Sequence, residues 1–238
     1  MQNAEKKSPA RFFAVVPAAG VGARMGLAVP KQYMDLCGRT MLSRTLEALC
    51  RAPGIAGIVV VVSEADGWIG SETLPDLCAV ARCGGATRAE SVRNGLAWLS
   101  ERSGWGAEEN DWVMVHDAAR PFVRAEEIAA LEAAVVEKGC GALLAVPMAD
   151  TVKQVGEAGL VSATIDRSLL WRAATPQAFR LGELKVALFG DLSGITDEAS
   201  AIERAGGCVA VVPCSSRNFK VTSPADAELA RALLAYQG

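Results

Sequence analysis

The sequence predicts an α/β fold, a mostly parallel sheet with helices on both faces, and three observations lead there. Short β-branched apolar runs alternate with amphipathic segments through most of the chain. The runs are continuous rather than alternating, as expected of parallel strands covered on both sides. The chain of 238 residues is 51% hydrophobic and 21% charged, enough to bury a large core as one domain over residues 1–238.

The strands read as Phe12–Val16, Gly57–Val62, Trp112–Val115, Gly141–Val146 and Cys208–Val212. Helical stripes lie between them: Leu42, Leu46 and Leu49, then Val92, Leu96 and Leu99, both at i, i+4, i+7. Ile128, Leu131 and Val135 give a further stripe, with Gly139 placed to end it. The last helix carries a start signal, Ser223 as cap, Pro224 in the first turn and Asp226 three residues after the cap. Residues 151–165 break the rhythm with two short strand patterns around Gly156-Glu157-Ala158-Gly159. That reads as a projecting β-hairpin, either an edge hairpin or an arm that packs on a second subunit.

Composition excludes several classes. Gly (23) and Pro (10) are ordinary, no heptad is sustained, and no apolar run approaches the ~20 residues of a membrane span. A net charge of −3 argues against a nucleic-acid binder, so an anionic ligand must be held by a local basic cluster. The seven cysteines form no CxxC pair and read as buried free thiols in a reducing cytoplasm. The apolar stretch after Lys6 and Lys7 is only Phe12–Val16, too short for a signal peptide.

Chemistry concentrates in four clusters. After the first strand, Pro17-Ala18-Ala19-Gly20-Val21-Gly22-Ala23-Arg24-Met25-Gly26 leads into Pro30-Lys31-Gln32. Gly20, Gly22 and Gly26 miss the dinucleotide G-x-G-x-x-G spacing by one, and no Gly-Lys-Ser/Thr follows for a Walker A loop. Small residues with Arg24 and Lys31 suit a loop wrapped around a polyphosphate. Second, Gly84-Gly85-Ala86-Thr87-Arg88-Ala89-Glu90-Ser91 stands at a helix entrance, where N–H groups favour anions and Thr87 or Ser91 suits capping. Third, His116-Asp117-Ala118-Ala119-Arg120 follows a buried strand, where open α/β sheets bind ligands. Asp117 there is a plausible Mg²⁺ ligand. The lone histidine, His116, has no nucleophile elbow or ligand pair with it and reads as structural. Fourth, Lys220 precedes the last helix and by itself would be an ordinary surface residue.

Together these clusters resemble the 2-C-methyl-D-erythritol 4-phosphate cytidylyltransferases of the non-mevalonate isoprenoid route. The matching segments, in order, are PAAGVGARM, PKQY, GGATRAESV, VHDAARPFV, DTVK, TPQAF, TDEASAIE and NFKVTSPAD. The resemblance implies a Rossmann-like nucleotidyltransferase fold, with a hairpin arm exchanged across a homodimer. It implies transfer of a cytidylyl group from CTP to a polyol phosphate with Mg²⁺ or another divalent cation. Arg24 and Lys31 match residues that stabilise charge on the α-phosphate. Ala18, Ala19, Gly85 and Ser91 match positions that read cytosine, and Gly20, Gly22 and Arg88 lie in the same nucleotide motifs. Asp117 matches a metal ligand. Arg120, Thr151 and Lys220 match positions at the sugar phosphate, joined by Arg167 from the partner's arm. The alternatives are a cytidylyltransferase for ribitol 5-phosphate or a similar polyol, a Rossmann oxidoreductase, and a non-catalytic nucleotide sensor.

Overall fold

The computed structural model describes residues 10–20 and 29–237, without the side chain of the last of these. In chain order the strands are β1 (Phe12–Pro17), β2 (Ile55–Val62), β3 (Cys78–Arg82), β4 (Trp112–Val115), β5 (Gly141–Pro147), β6 (Val152–Val155), β7 (Val161–Ile165), β8 (Trp171–Arg180) and β9 (Val209–Pro213). The helices are α1 (Met41–Cys50), α2 (Arg88–Arg102), α3 (Ala125–Lys138), α4 (Leu181–Ala187), α5 (Glu198–Arg204) and α6 (Pro224–Gln237).

Seven strands form one sheet in the order β3-β2-β1-β4-β8-β5-β9. Strand β1 is parallel to β2 and β4, β2 to β3, and β5 to β9, while β8 runs antiparallel between β4 and β5. Alternate side chains of each strand enter opposite cores. Phe12, Ala14 and Val16 pack with Leu46 and Leu49 of α1 and with Leu131 of α3. Phe13 and Val15 face the other way, onto Leu96 of α2, Leu184 of α4 and Ile202 of α5. Strands buried on both sides need no polar positions, which is why they read as unbroken apolar runs. Helix α3 ends at Gly139, whose φ of 65° is a left-handed cap that a side chain would resist.

The structure adds elements that the periodicity did not announce. Strand β8 contains Pro176, and a proline within a run argues against a central strand. Its pairing with β5 jumps from Leu143–Gln177 to Ala145–Ala173, so Pro176 falls where the ladder is interrupted. Strand β3 lies at the sheet edge and is mostly half-buried, and α4 and α5 have 7 residues each, too few for a stripe to repeat. The expected burial of the cysteines is corrected: all are free, but Cys37 and Cys208 are exposed and the rest are half-buried.

Among the described residues, strands β6 and β7 pair only with each other, around a turn in which the Gly156 N–H donates to the Leu160 carbonyl at 3.0 Å. Val155, Leu160 and Val161 on this hairpin are exposed by 54%, 72% and 60%. Among the described residues, no helix is long and apolar enough to cross a membrane.

Candidate active site

A cleft of about 740 Å³ opens beyond the carboxyl ends of β1 and β4, where the sheet's crossovers diverge. One wall comes from the loops after β1 and β3. The Ala18 N–H donates to the Val61 carbonyl at 2.7 Å, and buried Gln32 donates from Nε2 to the Ala18 carbonyl at 2.6 Å. The segment holding Lys31 is therefore folded back beneath the first loop, which brings Lys31 to the cleft lining. A Cβ on Gly84 would lie 2.3 Å from that of Ala19, so the two loops approach as only glycine permits.

Helix α2 begins at this wall. Thr87 is its cap: Oγ1 accepts from the Glu90 N–H at 3.1 Å, and Glu90 Oε2 accepts from the Thr87 N–H at 3.0 Å. Ser91 Oγ accepts from the Gly85 N–H at 3.1 Å and donates to the Thr87 carbonyl at 2.9 Å. A hydroxyl so placed retains one acceptor lone pair toward the cleft wall that Gly85 and Ser91 both line.

The opposite wall is ionic. Asp117, 6% exposed, follows β4 and receives three cations. Arg88 Nε reaches Oδ1 at 2.9 Å, while Lys220 Nζ and Arg120 Nε reach Oδ2 at 3.0 and 3.3 Å. Burial alone would raise this carboxyl, but Arg88, Lys220 and Arg120 overcome it and hold the group well below the usual carboxylate range. Lys220 is delivered by the chain before α6, because the Val221 N–H donates to the Ala119 carbonyl at 2.9 Å. Arg120 Nη1 donates to the Asn218 carbonyl at 2.7 Å and ties the same segment down. The start of α6 is fixed by Ser223 and Asp226, each accepting from the other's N–H at 3.2 and 2.8 Å.

Beneath Asp117 lies a neutral relay. The Asp117 N–H donates to Thr175 Oγ1 at 3.0 Å, and the Thr175 hydroxyl donates to His116 Nδ1 at 3.0 Å. His116 Nε2–H donates to the Arg120 carbonyl at 3.1 Å, a tautomer assigned from this bonding pattern. Burial pushes the imidazole down to about 4, so it is neutral at ordinary pH and supports the loop. This agrees with the structural reading of the histidine.

The cleft lining thus brings together Ala18, Ala19, Gly20, Lys31, Gly85, Arg88, Ser91, Asp117 and Lys220. Arg120 lies just behind, through Asp117. Thr151 and Arg167 stand at the two ends of the hairpin and are not in this chain's cleft lining; Arg167 Nη1 donates to the Ala149 carbonyl. Gly22 and Arg24 lie outside the described residues. Sequence reasoning did not single out Glu198, Thr175 or Gln32. All three sit in matched segments, TDEASAIE, TPQAF and PKQY, which was the available signal.

Among the described residues, no group of three or more His, Cys, Asp or Glu gathers into a metal cage. Among the described residues Asp117 is the one carboxylate on the cleft lining, and both its oxygens are ion-paired. To join a metal cation this carboxylate would have to give up one of these ion pairs, and the cation would draw most of its coordination from substrate phosphates and water.

The family model IspD, 2-C-methyl-D-erythritol 4-phosphate cytidylyltransferase, matches residues 12–236. A Burkholderia cenocepacia protein named 2-C-methyl-D-erythritol 4-phosphate cytidylyltransferase is 46% identical over 230 residues, covering 94% of this chain and 96% of the relative. A bifunctional IspD/IspF enzyme of Albidiferax ferrireducens is 47% identical over 225 residues; the alignment covers 94% of this chain but spans only 53% of that longer relative. The crystal structure of the Francisella tularensis 2-C-methyl-D-erythritol 4-phosphate cytidylyltransferase superposes with a TM-score of 0.78 at 37% identity, covering 94% of this chain and 99% of that one.

Proposed function

Because the chain belongs to the 2-C-methyl-D-erythritol 4-phosphate cytidylyltransferase family, we propose that its cleft is where CTP and the polyol phosphate meet. The enzyme transfers the cytidylyl group of CTP to 2-C-methyl-D-erythritol 4-phosphate, giving the CDP-alcohol and pyrophosphate, in isoprenoid precursor synthesis. A phosphate oxygen of the acceptor forms a bond to the α-phosphorus as the bond to the bridging oxygen of pyrophosphate breaks.

An acceptor phosphate is already anionic near neutral pH, so no general base is required, in keeping with a histidine buried as a neutral support. The barrier lies in bringing two anions together and spreading charge over a crowded phosphorus, which fixed cations lower without moving a proton. In this reading Ala18, Ala19, Gly20, Gly22, Gly85 and Ser91 seat the nucleoside, with Arg88 at the junction of the two walls. Lys31 and Arg24 stabilise charge on the α-phosphate, and Lys220 and Arg120 serve the acceptor's phosphate. Lys220 is 36% exposed, so an arriving phosphate can draw it partly off Asp117. Mg²⁺ or another divalent cation would supply further positive charge to the triphosphate, and Asp117 is the residue that would hold it.

The hairpin's exposed Val155, Leu160 and Val161 favour an arm that packs on a second copy of the chain and carries Thr151 and Arg167 to its cleft. Mixing inactive Arg167→Ala and Lys31→Ala subunits tests this, since each heterodimer would hold one intact site. Recovery of activity is expected, and none in demonstrated heterodimers would contradict the exchange. Free thiols and charged substrates suit the cytoplasm.

The observation that carries the reading is the pairing of a glycine-built wall with a wall of gathered cations in one cleft. The test is pyrophosphate release from CTP and Mg²⁺ with a panel of polyol phosphates. Methylerythritol phosphate should be the preferred acceptor, and preference for ribitol 5-phosphate would contradict the assignment.

A further inference from the structure

We infer that Glu198 is a positioning residue for catalysis, gripping Arg88 so that Arg88 in turn holds Asp117 beneath Lys220. The inference rests on the cytidylyltransferase reading above and gives a task to a matched segment, TDEASAIE, that this reading leaves idle.

Glu198 is 1% exposed and meets Arg88 as a two-pronged pair, Oε1 to Nη1 at 2.7 Å and Oε2 to Nη2 at 3.1 Å. The remaining guanidinium nitrogen, Nε, donates to Asp117 Oδ1 at 2.9 Å. All three nitrogens of Arg88 are thus committed to carboxylates, and the planar fork fixes the direction in which Nε points. The carboxylate is itself locked in place. Asp197 Oδ2 accepts from buried Gln177 Nε2 at 2.9 Å, and Gln177 Oε1 accepts from the Ala199 N–H at 2.9 Å. Glu198 therefore sits between two residues anchored to β8.

Stability alone is a poor reason for such a pair. Two charges taken out of water recover their desolvation cost only with excellent geometry, and well-packed apolar replacements are often as stable. Geometry is what the pair supplies here. With Glu198 in place, one negative charge cancels Arg88, and Asp117 stays available to steer Arg120 and Lys220. Without it, Arg88 is free to turn its fork fully onto Asp117 or into the cleft, and Lys220 loses its fixed anchor.

The test is steady-state kinetics of Glu198→Gln, Arg88→Lys and the double variant, with folding checked by thermal unfolding. Glu198→Gln keeps the shape and removes the charge; Arg88→Lys keeps the charge and removes the fork. Each should lower kcat by about tenfold or more while KM for CTP stays within about threefold. In the double variant the second change should add little, because both remove one bracket. A merely structural role predicts lowered melting temperature and active-enzyme fraction without this shared loss of kcat. Wild-type kcat in folded Glu198→Gln, a rise in KM for CTP instead of a fall in kcat, or losses that multiply would each overturn the inference. Should Glu198→Gln not fold, Arg88→Lys reads the same bracket from its other end. A wild-type protein that fails to transfer cytidylyl groups would instead overturn the functional reading.

Discussion

On one side of the cleft, residues 18–20 and 84–86 offer backbone and small side chains, packed so closely that a Cβ on Gly84 would collide with Ala19. On the other, Asp117 gathers Arg88, Arg120 and Lys220 within 3.3 Å, and Glu198 holds Arg88 from behind. The first wall suits recognition, since a neutral surface can follow the outline of a base without attracting anions indiscriminately. The second, together with Lys31 reaching the cleft from beneath the first loop, suits catalysis, since cations fixed before the reaction pay no reorganisation cost during it. The lesson is that affinity for the nucleotide and acceleration of transfer rest on different residues, and substitutions should separate them.

The largest effect is expected at the cations. Lys31→Ala should lower kcat by about a hundredfold or more with the fold intact, the scale of one lost charge-stabilising donor. Arg24→Ala should do the same, and near-wild-type turnover in both would discard the mechanism. Lys220→Ala should fall in the same class, with its loss growing as acceptor phosphate becomes limiting. The glycine wall should answer differently. Gly84→Ala must push Ala19 or the Val62 carbonyl aside, the latter 3.0 Å from the added carbon, so KM for CTP should rise roughly tenfold with kcat changed less. A fall confined to kcat would erase the distinction between the walls.

The smallest effect concerns the support under the charged wall. Folded His116 titrates at about 4 against an ordinary 6.5, because burial disfavours its charged form. The unfolded chain therefore binds this proton first as pH falls. The stabilisation is complete above about pH 6.5 and is lost as pH drops toward 4, while Asp117 remains ionised throughout. Thermal unfolding across that window should show the slope, and His116→Gln should flatten it. An equally steep decline in the variant would contradict this origin.

Much of the scaffold was legible because doubly covered strands leave unbroken apolar runs: the limits read for β1, β2, β4, β5 and β9 differ from the structure by at most two residues at an end. The caps of α3 and α6 were legible for the same local reason, Gly139 and Ser223 acting within their own turns. Strand β8 was hidden by Pro176, whose effect depends on an interruption in the partner strand that sequence does not display. In the site, Asp117 was visible as an acid after a buried strand. That it anchors three cations was not, since Arg88 and Lys220 arrive from other crossovers. Lys220 looked like any surface lysine until Val221 and Asn218 were seen tied to the 117–120 loop.

The central claim is that one cleft divides recognition from charge stabilisation, with the triphosphate beside fixed cations. A crystal structure with bound cytidine nucleotide and Mg²⁺ tests it most directly. The account predicts the base against Gly85 and Ser91 and the α-phosphate beside Lys31, facing the Asp117–Lys220 pair. A triphosphate lodged away from Lys31, with the base on the charged wall, would contradict it.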